Sequence, residues 1–185
     1  MYDHESIVPK ANVFMIRGYT ENSKEQLEYF KNNLEWIYDE PTGRRFCNMG
    51  ADYLIFGQVQ KSQPFDPVVL KIMHELNERF SVAMNACYAN YYADGSSIVP
   101  FRNNKGIQTD LDQPIISLAY GGTRLGVFKD VETAEEHELF MYGGDLCIMG
   151  LNSQQNYLHG MRASDTFTEP RISLTFRKIS SWAAT

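Results

Sequence analysis

Residues 171–177, Arg171-Ile172-Ser173-Leu174-Thr175-Phe176-Arg177, alternate strictly between polar and apolar side chains. Successive side chains of a β-strand point to opposite faces, so Ile172, Leu174 and Phe176 share one face and Arg171, Ser173, Thr175 and Arg177 the other. The apolar face needs a core beneath it. The polar face fits two settings. In a double-sheeted barrel it lines the lumen, where two guanidinium groups, each able to grip a carboxylate at two points, make an anion site. In an open sheet it is the wet face of an amphipathic edge strand.

Upstream of this strand, from about Ala83 onward, short β-rich runs alternate with turn signals. The runs are Asn90-Tyr92, Pro114 to Tyr120, Arg124 to Phe128, Leu139 to Tyr142, Leu146 to Met149 and Asn156 to Met161; the turns include Asp94-Gly95, Gly121-Gly122 and Gly143-Gly144. Seven or eight strands with no helix between them predict a jelly roll, a double-stranded β-helix. The first half carries two predicted helices. Leu27, Phe30, Leu34 and Ile37 follow one helical face, with Ser23 and Gln26 as a capping box and Pro41 and Gly43 closing the helix. The second helix starts at Asp66 as N-cap with Pro67 first, and its apolar face is Val69, Met73, Leu76 and Phe80. The predicted class is α+β, with both helices outside the barrel. One domain over 1–185 is expected, divided into a helical and lid-like region, 1–82, and a jelly-roll core, 83–180.

The composition agrees. The chain has 185 residues, 43% hydrophobic, 13% aromatic and 22% charged, the balance of a globular protein rather than a disordered, collagen-like or coiled-coil one. No apolar run reaches the ~18 residues of a membrane span, and the first residues lack a basic segment followed by an apolar one, so neither membrane association nor a secretory leader is expected. Cys47, Cys87 and Cys147 are odd in number and far apart, which predicts buried free thiols and a cytoplasmic setting. His4 is expected in a flexible tail. The 17 Lys and Arg against 23 Asp and Glu give a net charge of −6, which disfavours long phosphate tracks. That charge is uneven. Asp130, Glu132, Glu135, Glu136 and Glu138 crowd a segment expected to be a solvated loop, whereas Arg171 and Arg177 share the polar face of the last strand.

Four segments carry a resemblance to the AlkB-like 2-oxoglutarate and iron(II)-dependent dioxygenases. They are Met84 to Gly95 with its Asn90-Tyr91-Tyr92, Pro114 to Leu118, Gly144 to Met149 leading to Tyr157-Leu158-His159-Gly160, and Arg171 to Arg177. Tyr53-Leu54-Ile55-Phe56-Gly57 loosely resembles the family's lid over a flipped base, which implies substrate or lid roles for Tyr53 and Phe56. The resemblance further implies that Arg171 pairs the distal carboxylate of 2-oxoglutarate, with Asn90, Tyr92, Ser173 and Arg177 around the same pocket, and that His159 is a ligand of iron(II). The family's other two ligands form a His-x-Asp pair about six residues past the Asp-Gly turn. Counting from Gly95 places Phe101 and Asn103 there, with Phe101 expected to point inward. A phenyl ring has no lone pair to donate and a carboxamide brings no charge to offset a metal. Asp110 and Asp112 in the following loop are the nearest carboxylates that could substitute. Arg102 and Lys105 put positive charge where the family faces its substrate base.

Three functions follow from this pattern. The first is a catalytically inactive binding protein with an arginine-lined pocket for a nucleotide, a nucleic acid, a dicarboxylate or a protein. It keeps 2-oxoglutarate as a candidate ligand and drops iron(II). The second is an active 2-oxoglutarate-dependent oxygenase of the nucleic-acid demethylase or hydroxylase type, with a non-standard metal site. The third is a metal-free lyase or transferase using Tyr92, His159 or Arg171 in acid–base roles.

Overall fold

The structure, a computed structural model, describes residues 4–21, 24–55, 58–102 and 112–180. It opens with a hairpin, β1 (His4–Val8) and β2 (Val13–Ile16). His4 therefore begins a strand, its Cα opposite Ile16, and not a tail. The helix α1 (Lys24–Asn33) buries Leu27 and Phe30 as the spacing predicts, but it stops before Leu34. The chain then turns into β3 (Ile37–Asp39), whose Ile37 pairs with Phe46 and is 56% exposed. Pro41 and Gly43 thus shape a 3₁₀ turn beyond β3 and do not close the helix. Its C-cap Gly43 has φ 67°, in the left-handed region that glycine enters without a Cβ clash. Ser23, the expected cap, lies outside the described residues.

Next come β4 (Arg44–Gly50) and a small hairpin of β5 (Tyr53–Ile55) with β6 (Gln58–Gln60), which forms a two-stranded sheet of its own. The helix α2 (Pro67–Phe80) begins as predicted: the Asp66 carboxylate accepts hydrogen bonds from the Val68 and Val69 amides at 2.9 and 3.2 Å. Such a cap contributes about 1 kcal/mol. The remaining strands are β7 (Ala86–Tyr92), β8 (Val99–Arg102), β9 (Ile115–Gly121), β10 (Arg124–Asp130), β11 (Glu136–Met141), β12 (Leu146–Met149), β13 (Tyr157–Met161) and β14 (Arg171–Arg177). A short helix, α3 (Leu151–Asn156), lies between β12 and β13, against the expectation of strands without an intervening helix. Its sequence, Leu-Asn-Ser-Gln-Gln-Asn, has one apolar residue and no 3.6-residue stripe to betray it.

The large sheet has the order β1-β2-β12-β9-β14-β7-β4-β3, and the small one β11-β10-β13-β8. Half of the large sheet thus comes from the first 50 residues, which the sequence reading had taken as helical and lid-like. The run Val13-Phe14-Met15-Ile16 is continuous in its hydrophobicity, and such a run does not declare its period. The segment 130–138 is also only partly a loop: from Glu136 onward it is strand β11. Glu136 and Glu138 meet Arg162 at 2.5 and 2.8 Å, and Glu136 meets Lys129 at 3.3 Å.

Position two places β14. One face, Ile172, Leu174 and Phe176, is buried with Phe30, Val69, Met73 and Leu76 of the two helices. The other looks toward the small sheet. A second core of Val13, Met15, Phe128, Leu139, Cys147 and Tyr157 plugs one end between the sheets. The fold class is that of an α+β double-stranded β-helix with the helices outside. All three cysteines are buried and free.

Candidate functional site

Register sets the floor of the pocket. Across β14, β7 and β4, Ser173 pairs with Asn90 and Asn90 with Phe46, and Arg171 pairs with Tyr92. The same parity brings Arg44, Tyr88, Asn90, Tyr92, Ser173, Thr175 and Arg177 to one face. The small sheet supplies the roof, with Phe128, Met141, His159 and Met161. Between them lies a cavity of about 180 Å³ with no aspartate or glutamate among the described residues that line it. The lumen setting of the last strand therefore holds, and the edge-strand setting does not: β14 is central.

Arg171 shares that face of β14, but it is completely buried and is not among the residues that line the cavity. Its Nη1 donates to the carbonyls of Gly122 and Met141 at 2.8 and 2.9 Å, while Nε and Nη2 have no partner among the described residues. Burial pulls Arg171 below its ordinary value to about 10; the neighbouring Tyr92 opposes that and the Arg124 guanidinium adds to it. Arg124, which sequence reasoning passed over, is itself buried and spent on structure. Its Nη2 ties the carbonyls of Asp94 and Glu169 at 2.7 and 2.9 Å, and its guanidinium stands 6.0 Å from the Tyr92 ring.

The opposite end gathers Arg177, Tyr88, Arg44 and His159. Burial raises the Tyr88 phenol, and the charges of Arg44 and Arg177 pull against it. Arg44 lies 11% exposed with its Nε 3.5 Å from Asp39 Oδ2 and unbonded. It too escaped the sequence reading, although the alternation Arg44, Phe46, Asn48 along β4 carried the signal. His159 stacks on Phe128 with centroids 5.7 Å apart, and its Nδ1 has no partner among the described residues. Desolvation, reinforced by Arg177, lowers its pKa to about 4, so the imidazole is neutral near pH 7.

Buried polar atoms in native proteins are nearly always bonded. Here Asn90 (Oδ1), His159 and Arg44, each with an open atom, line one cavity, and the open atoms of Arg171 belong to the next position along the same face of β14 from Ser173. A small dicarboxylate fits the cationic part of that pattern, because its carboxylate oxygens can accept from the two open donors of Arg171; the open Asn90 Oδ1, an acceptor, is not answered by it. Each donor left unmade costs about 1–3 kcal/mol.

Iron(II) does not fit the described residues. A facial triad needs two imidazoles and a carboxylate. Among the described residues no three His, Cys, Asp or Glu side chains converge. The residue opposite His159 in the ladder is Arg102. Phe101, expected inward, instead lies on the outer face with the Arg162 guanidinium 5.5 Å over its ring. The inversion follows from a register shift between His159 and Met161, which leaves two residues of β8 opposite Gly160. Asn103, Lys105, Phe56 and Asp110 lie outside the described residues, and only the backbones of Tyr53 and Arg102 are described. Tyr53 belongs to the separate β5–β6 hairpin. Asp112 is exposed.

Comparisons with known proteins agree with this geometry. The family model of the 2OG-Fe(II) oxygenase superfamily matches residues 18–177. The DNA oxidative demethylases ALKBH2 of Bos taurus, Mus musculus and Homo sapiens are each 22% identical over 171 residues, which cover 84% of this chain. Those alignments span 62%, 72% and 66% of the three relatives, so the chain matches less than two thirds of the bovine protein's length. The solved structure of OsALKBH1 superposes with a TM-score of 0.65 at 15% identity, covering 91% of this chain and 98% of that one.

Proposed function

The chain belongs to the 2OG-Fe(II) oxygenase superfamily as an AlkB-like member, and we propose that it is a catalytically inactive binding protein of that fold. Its ligand is a small dicarboxylate of the 2-oxoglutarate type, held without iron. The observation that carries this reading is the pair of open donors on buried Arg171, on the sheet face whose Tyr92 and Ser173 line the cavity, together with an imidazole whose ladder partner is an arginine.

When bound in this family, iron(II) and 2-oxoglutarate supply the oxidising power for hydroxylation of an alkyl group. In this chain the residues support binding alone. Arg171 grips one carboxylate, Tyr92 and Ser173 flank it, and Asn90 offers its amide. Neutral His159 contributes a hydrogen-bonding edge instead of a charge.

The test is direct. Protein purified without oxygen and mixed with iron(II) and 2-oxoglutarate is examined for the visible metal-to-ligand charge-transfer band, then exposed to oxygen and assayed for succinate. The reading predicts neither band nor succinate. A band with turnover would establish the alternative, an oxygenase whose remaining ligands come from the 103–111 segment, and the demethylase activity of the ALKBH2 relatives would then be the first to assay.

A further inference from the structure

We propose that Met141, Met161 and His159 form a binding site for a soft monovalent metal ion of the copper(I) type. The inference goes beyond the anion reading and does not rest on it, because the three donors belong to the small sheet and need no carboxylate to complete them.

Register brings the three together. On the lumen face of the small sheet, Met161 of β13 pairs with Gly126 of β10, and His159 pairs with Phe128 one step along the same face. Met141 of β11 starts one step the other way, opposite Arg124. Its side chain does not stay in that row. A Cβ added to Gly126 would lie 2.9 Å from the Met141 sulfur, so Sδ occupies the gap that the glycine leaves. Paired residues hold their Cβ positions about 5 Å apart, so the Met161 side chain borders the same gap. His159 follows about 7 Å along β13, two residues of strand rise. All three line the cavity, and Phe128 stacks on the imidazole with centroids 5.7 Å apart.

The donor chemistry selects the ion. Thioether sulfur is soft, polarizable and neutral and favours copper(I); imidazole suits copper as well, whereas magnesium, calcium and manganese want oxygen. No group among the described residues engages His159 Nδ1, which leaves that nitrogen's lone pair available in one tautomer. Charge then sets the valence. The two thioethers are uncharged, the imidazole is neutral near pH 7, and the Arg177 charge already presses on it. Coulomb repulsion scales with the charge of the bound ion, so a monovalent ion meets half the opposition that a divalent one does. Cys147 and Met149 line the same cavity from the large sheet and are the rival soft donors.

The experiment keeps full-length protein reduced and free of oxygen and chloride. Silver(I) nitrate, the redox-inert stand-in for copper(I), is added while the methyl carbons of the eight methionines are followed by NMR. At one equivalent the Met141 and Met161 methyls are expected to move and the others to stay. Copper(I) affinity is then read by competition with bicinchoninate. Met141→Leu and Met161→Leu, which nearly conserve volume, should each weaken copper(I) roughly tenfold or more. Cys147→Ser should leave the affinity unchanged, and zinc(II) should bind more weakly than copper(I). The wild-type silver spectrum decides the matter if a variant does not fold. Silver(I) that leaves both methyls unmoved overturns the site. So does copper(I) affinity retained in both leucine variants or lost with Cys147, and so does zinc(II) held as tightly as copper(I).

Discussion

In the ladder that joins β13 to β8, the residue opposite His159 is Arg102, while the Phe101 ring lies on the outer face beneath Arg162. A histidine introduced at 101 would therefore point away from His159. We predict that Phe101→His with Asn103→Asp gains no affinity for a divalent metal. Arg102→His with Asn104→Asp keeps the His-x-Asp spacing but starts at the position facing His159, and it should bind iron(II) or its nickel surrogate measurably. Calorimetric titration of both double variants with nickel(II) checks this; the reverse order of affinity would put the ladder register in error.

Arg171 is the buried cation with open donors, so its removal should erase ligand response. At a ligand concentration of ~100 times Kd, wild type should gain about 2.7 kcal/mol, or roughly 5–10 °C in Tm for a chain of this size. Arg171→Met should show no shift with 2-oxoglutarate. Thermal unfolding with and without ligand reads both. A response undiminished in the variant would place the anion elsewhere.

His159 predicts a pH dependence whose sign is fixed by its environment. Its folded pKa of about 4 lies below the unfolded value of ~6.5, so between those values the unfolded state binds the additional proton. The neutral imidazole's contribution is intact above pH ~6.5 and is lost as pH falls toward 4. Wild-type stability should decline through that window more steeply than that of His159→Gln, measured by urea unfolding at a series of pH values. Parallel curves would mean that the imidazole is solvated.

Gly160 tests the packing of the two strands at the pocket. A Cβ there would sit 2.5 Å from the Val99 carbonyl oxygen and 3.2 Å from the Phe101 backbone. Both neighbours are main chain, so β8 must move. Gly160→Ala should cost about 1–3 kcal/mol, the usual range for overpacking. An unchanged denaturation midpoint would show that β8 does not lie against β13 as described.

How much of this was written legibly in the sequence varies by element. β14 was, because an alternating strand in a buried setting has only one way to face. So was α2, whose Asp66-Pro67 start is a local signal. The β1–β2 hairpin was not: Val13 to Ile16 is apolar throughout, and its pairing with β12 links residues more than 120 positions apart. Ile37 misled for a related reason. It falls on the helical spacing of Leu27, Phe30 and Leu34, yet cross-strand pairing with Phe46 decides its state. At the site, Asn90, Tyr92, Ser173, Arg177 and His159, expected together from the sequence, line one cavity, whereas Arg171, expected with them, lies outside its lining. Phe101 was misplaced by one residue because a bulge, invisible to counting, shifts β8 against β13. Arg44 alternates with Phe46 and Asn48 along β4, but which face of that strand meets the cavity depends on where β4 docks against β7.

The central claim is that this pocket holds its ligand without iron. The most direct measurement is the dissociation constant of 2-oxoglutarate by calorimetry, once in excess chelator and once with saturating iron(II) under anaerobic conditions. The account predicts binding in chelator and the same constant, within a factor of about two, in iron. Binding that appears only with iron(II), or tightens more than tenfold (about 1.4 kcal/mol) when the metal is added, would contradict it.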